Sequence, residues 1–150
     1  MRLHLVSVVA SLVLTSFAVA QTISPNEVIF NDGSVVVSLT GVPGDPIEGK
    51  KTFINRKLGN CLACHANEDA SDHVFHGEVG PTLDGVADRW EEADLRGLLV
   101  NPKMMNEGTI MPSFYRLANG VRPLKKFQNK TILTAQQVED VLAYLKTLKE

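Results

Sequence analysis

The chain has 150 residues, with 17 acidic against 15 basic side chains, four histidines and a formal charge of -2. That length accommodates one domain with a core of useful size and leaves no room for a second catalytic unit. A slightly acidic balance lacks the basic footprint that nucleic acid requires, so no nucleic-acid partner is expected.

The opening stretch MRLHLVSVVASLVLTSFAVA carries one basic residue, Arg2, then an apolar run, then the small-residue step Ala18-Val19-Ala20. This pattern predicts a secretory signal over residues 1–20, cleaved after Ala20. Ser11, Thr15 and Ser16 break the apolar run. A spanning helix needs about 20 apolar residues, so the segment reads as a leader rather than an anchor. Export to the periplasm is expected, with no membrane contact after cleavage.

Residues 21–45 form an N-terminal extension. Within it, VIFNDGSVVVSL places two β-branched runs around Asn31-Asp32-Gly33, a signal for a short β-hairpin over 28–39. Two strands alone are marginal in water, so this arm should pack on the rest of the chain or on a partner.

Residues 46–150 read as all-α. Asp45 and Pro46 give a cap and first-turn signal for a helix through IEGKKTFINRKLG, which delivers Cys61. EEADLRGLLV predicts a second helix with Leu95, Leu98 and Leu99 on one face, ending before Pro102. In the last helix Thr134 and Gln137 make a capping box. Val138, Val141, Leu142, Leu145 and Leu148 repeat there with helical period, and Lys146 and Lys149 suit its C-terminal dipole. Its apolar stripe needs a cover, most simply the first helix.

The only cysteines, Cys61 and Cys64, lie in GNCLACHANEDASDH with His65 directly after the second. In an exported chain two thiols are open to a disulfide. A thioredoxin-like pair requires a strand-helix-strand surround, which these residues lack. A zinc site would recruit two of His65, His73 and His76, without the regular second half such sites show. C-x-x-C-H also permits covalent haem attachment: two thiols bond one porphyrin edge while the adjacent imidazole reaches the iron. One motif then means one haem c.

An electron-carrying haem needs a second axial ligand, and a soft methionine sulfur favours ferrous iron. Met111 in GTIMPSFY is the leading candidate, because Pro112 prevents a helix there and fixes a turn. Met104 and Met105, and more remotely His73 or His76, remain alternatives. The backbone carbonyl of Pro81 in GEVGPTLDGV is a candidate acceptor for the other ring nitrogen of His65.

From about Gly49 to Leu148 the chain resembles the SoxX family, the monohaem cytochrome c subunits of the SoxAX complexes of periplasmic sulfur oxidation. The resemblance rests on GNCLACH, GEVGPTLDGVADRW, LRGLLVNP, GTIMPSFYR and ILTAQQVEDVLAYLKTL, in that order. It implies a class I-like cytochrome c fold, thioether links at Cys61 and Cys64, and axial ligation by His65 and Met111. It also implies a heterodimer with a SoxA-like cytochrome subunit, a sulfur-carrier protein met through that complex, and a downstream electron acceptor. Thiosulfate chemistry falls to the partner, so no catalytic residue is expected on this chain. The long acidic stretch HANEDASDHVFHGEVGP departs from the pattern and leaves the place of His73 and His76 open.

Two other functions fit the haem motif: a free, diffusible cytochrome c, and a haem-based gas sensor, which needs an open iron position. Residues 66–96 are acid-rich and residues 101–130 basic, as in a dipolar molecule that docks in one orientation.

Overall fold

Asp45 opens α1 (Pro46–Ile54) by accepting the Ile47 amide at 2.8 Å, with Pro46 in the first turn where no amide is needed. The computed structural model in which this is seen describes residues 21–117 and 122–150. The predicted signal, its cleavage step and residues 118–121 lie outside the described residues. The other helices are α2 (Val86–Arg89), α3 (Glu92–Val100) and α4 (Ala135–Leu145).

The first helix stops five residues before the sequence signal did. Asn55 turns extended and its amide caps onto Thr52 O. Its own side chain and carbonyl then collect the amides of Lys57, Leu58 and Asn60, which wraps the chain tightly. Cys61 is therefore delivered by this turn and not by the helix itself. Helix α2 has no counterpart among the sequence signals.

The last helix forms as predicted, with both hydrogen bonds of the Thr134–Gln137 capping box present. Val138, Val141, Leu142, Leu145 and Leu148 are all buried. Helix α4 ends at Leu145, so Lys146 caps it and Lys149 lies beyond it. The buried face meets α1, where the rings of Phe53 and Tyr144 cross edge-on with centroids 5.2 Å apart. Gly49 makes this crossing possible, since a Cβ there would stand 2.0 Å from Asp140 O. Any larger residue would force the two helices apart.

In the N-terminal arm the predicted hairpin is reduced to its turn. Asn31 and Ser34 exchange two backbone hydrogen bonds of 2.9 Å around Asp32 and Gly33, whose φ angles of 48° and 90° suit a type I′ turn. Pairing goes no further because the next residues bond elsewhere. The amide of Val35 donates to Ala93 O in α3 at 2.9 Å, and that of Leu39 to Glu139 Oε1 in α4 at 2.8 Å.

Val35 and Leu39 are wholly buried, which makes the arm part of the core. A buried ion pair fastens it. Arg96 Nε donates to Glu139 Oε1 at 3.0 Å, and Arg96 Nη1 donates to Val35 O at 3.0 Å. Glu92 takes another guanidinium hydrogen at 2.7 Å. With so many partners the two charges are compensated in place, whereas removing either would strand the other.

Candidate haem site

Asn60, with φ of 52°, leads into a 3-10 turn over Cys61–Ala63. The amides of Cys64 and His65 both donate to Cys61 O, at 3.1 and 3.0 Å. This tight turn draws the backbones of Cys61, Cys64 and His65 together. Desolvation pushes the Cys61 thiol up to about 12. Burial of this kind favours the neutral thiol over the reactive thiolate at Cys61. Both cysteines are free of any disulfide.

The ring of His65 is oriented as predicted: its Nδ1 stands 2.7 Å from Pro81 O. Donation there assigns the proton to Nδ1 and leaves Nε2 a lone pair for metal. Among the described residues Nε2 has no hydrogen-bond partner. Gly80 lies flat against the ring, and a Cβ at that position would stand 2.3 Å from His65 Cε1. The Gly80-Pro81 step thus both clears the ring and fixes its angle.

Neighbouring groups hold this loop in turn. Arg89 Nη1 donates to Asp84 O at 2.5 Å and Arg89 Nη2 to Thr82 O at 2.8 Å. The amide of Gly80 returns to Cys64 O at 2.7 Å. The role of Arg89 was invisible in the sequence, since a lone arginine on a four-residue helix gives no signal.

Met111 is half-buried and packs against the hydrophobic core. Met105 packs on Gly33, at the turn of the N-terminal arm, and Met104 is exposed. His76 is consumed by its own loop: its Nδ1 accepts the Asn67 amide at 3.3 Å and its Nε2 faces Ala70 O at 3.1 Å. His73 lies on a surface cleft of about 400 Å³ lined also by Arg56, Leu62, Ala63 and Phe75. Among the described residues no group of three His, Cys, Asp or Glu side chains is arranged to hold a metal ion.

The acidic stretch after the motif is anchored by Asn67, which is 1% exposed. Its Nδ2 donates to Tyr144 Oη at 2.8 Å, and Tyr144 donates to Asp69 Oδ2 at 2.7 Å. Tyr144 is raised above the ordinary phenol range, first by burial and then by this bond to Asp69. Asp69 is lowered by the same bond and by Lys50, which lies 3.0 Å away. The sequence marked this stretch as unusual without revealing that α4 organises it.

The family profile for cytochrome c matches residues 47–149. The crystal structure of SoxXA from P. pantotrophus aligns with a TM-score of 0.79 and 48% identity, covering 85% of this chain and 98% of that one. The chain belongs to the cytochrome c family, in its SoxX branch. Ferric cytochrome c-550 from Paracoccus versutus aligns at TM-score 0.41 and 24% identity, over 71% of this chain and 99% of that one. No curated protein matches.

Membership in this family means one covalently attached haem c. The residues present fit that group: Cys61 and Cys64 are unpaired, and His65 offers a free Nε2 with its other nitrogen engaged. None of the described helices is long and apolar enough to cross a membrane.

Proposed function

We propose that this SoxX-family cytochrome is the electron-transfer subunit of a SoxXA-like complex in the periplasm, exported by a signal cleaved after Ala20. The observation that carries the reading is the 48% identity to a chain of SoxXA over 98% of that chain's length. In this reading Cys61 and Cys64 would hold the haem by thioethers, and His65 and Met111 would ligate its iron.

When bound, the haem supplies a one-electron iron couple. The protein's residues set the conditions for it. Donation from His65 Nδ1 to Pro81 O makes Nε2 more electron-rich and fixes the ring plane. The thioether of Met111, soft and neutral, favours the ferrous state and raises the potential. Ligation by both His65 and Met111 would leave no place on the iron for a substrate or a gas, which weighs against a sensor.

The reaction of the complex joins thiosulfate to a cysteine of a sulfur-carrier protein. A sulfur-sulfur bond forms, the thiol loses its proton, and two electrons leave. The nucleophilic sulfur belongs to the partners, since both cysteines of this chain are thioethers. This chain takes the electrons one at a time and hands them to a downstream acceptor.

The test is an assay of the purified holoprotein with thiosulfate, the sulfur-carrier protein and an artificial acceptor, alone and with the SoxA-like subunit. The proposal expects turnover only with that subunit. Steady turnover by this chain alone would place the active site here and overturn it.

A further inference from the structure

Met111 lies in a loop, residues 104–112, whose other members are mostly exposed, with Ile110 at 79%. Core packing alone does not hold such a backbone. Two local turns shape it: Asn106 Oδ1 accepts the Gly108 amide at 3.1 Å, and Thr109 Oγ1 accepts the Met111 amide at 3.2 Å. These bonds stay inside the loop and tie it to nothing else.

The Met105 and Asn106 amides tie the start of the loop to Pro102 O at 3.1 and 3.0 Å, and Lys103 ties its far end. Lys103 Nζ donates to Thr109 O at 3.2 Å and to Met111 O at 3.0 Å. Lys103 itself follows Asn101 and Pro102, both buried, in a 3-10 turn over Pro102–Met104 at the end of α3. On the other side of Met111, Ser113 Oγ donates to Asn101 Oδ1 at 2.7 Å. The three residues 101–103 therefore grip the chain both before and after Met111.

Resting on the reading of Met111 as a haem ligand, we infer that Lys103 is a positioning residue that holds the Met111 loop in the conformation from which its thioether would ligate the iron. A neutral thioether competes poorly with nitrogen donors for ferric iron, so its hold depends on the loop staying in place. An ammonium bridging the carbonyls of Thr109 and Met111 raises the cost of lifting the loop. The apparent affinity of an added ligand scales with the fraction of molecules in which the loop has lifted.

The experiment titrates ferric holoprotein with imidazole and follows the weak methionine-to-ferric absorption, in wild type, Lys103→Met, Lys103→Arg and Met111→Ala. Lys103→Met keeps the aliphatic stem and removes the donors. It is expected to bind imidazole roughly three- to tenfold more tightly, as the loss of two exposed hydrogen bonds implies. Lys103→Arg should stay near wild type, and the thermal unfolding midpoint of Lys103→Met should hold.

The outcomes separate the two readings. If the absorption survives in Met111→Ala, the ligand assignment fails. If it is lost there while imidazole affinity is the same in wild type and Lys103→Met, the inference about Lys103 alone is overturned. A gain in affinity matched by Lys103→Arg, or by a fall in the unfolding midpoint, also overturns it.

Discussion

His65 and Pro81 meet across sixteen residues, with Nδ1 of the imidazole 2.7 Å from the proline carbonyl. Pro81 is the acceptor and Gly80 the clearance, so two adjacent residues fix both the tautomer and the tilt of one ring. Gly80→Ala is expected to push the ring off this bond, at a cost of about 1–3 kcal/mol from overpacking. Chemical denaturation of the variant, with its haem content, checks this. Wild-type stability in Gly80→Ala would mean that the ring has room to spare.

Attachment is tested by mass. The holoprotein should weigh one haem more than its polypeptide, and acid-acetone should leave the pigment on the chain, as the proposed thioether links at Cys61 and Cys64 require. Pigment extracted into the organic phase would contradict this.

Met111→Ala should abolish the methionine-to-ferric absorption and lower the reduction potential. Axial ligands set haem potentials over roughly 0.8 V, and removing a soft donor shifts the balance toward ferric iron. Redox titration of the variant reads the shift, and an unchanged potential with an intact band would turn attention to Met105.

The arm tests the buried ion pair. Leu39→Ala should destabilise by about 2–5 kcal/mol, as for other fully buried leucines. Glu139→Ala should cost about 3–5 kcal/mol, since it strands the Arg96 charge and the Leu39 amide. Urea unfolding measures both. A chain that keeps its stability without residues 21–39 would show that the arm is an appendage after all.

Asp69 links loop order to pH. Its folded-state pKa is depressed by the hydrogen bond from Tyr144 and by Lys50, so the stabilisation is present above the ordinary aspartate range. It is lost as pH falls through the lowered folded value. Because Asp69 is substantially exposed, the effect is local and small. Tyr144→Phe should flatten the acid dependence of amide exchange in residues 67–76, and an equally steep dependence in the variant would remove Asp69 as its source.

The motif and the helix periodicities were legible because both are local. C-x-x-C-H and the Thr134 capping box each lie within a short stretch of chain, and the Pro81 acceptor follows the motif on a marked Gly-Pro turn. The ion pair of Arg96 with Glu139 was not legible, because its members are separated by 43 residues and look like ordinary surface charges. The arm misled for a related reason: Asn31-Asp32-Gly33 makes the predicted turn, but tertiary bonds to Ala93 and Glu139 claim the backbone that a hairpin would have used. The grip of Lys103 on the Met111 loop is a backbone matter that no side-chain pattern encodes.

The central claim is that this cytochrome works as one subunit of a SoxXA-like complex. Untagged purification from the native periplasm followed by native mass spectrometry tests it most directly. The account predicts a stable heterodimer, one copy of this holoprotein with one copy of a second, SoxA-like cytochrome subunit. A haem-loaded chain that travels alone as a monomer, at concentrations where such a complex holds together, would contradict it.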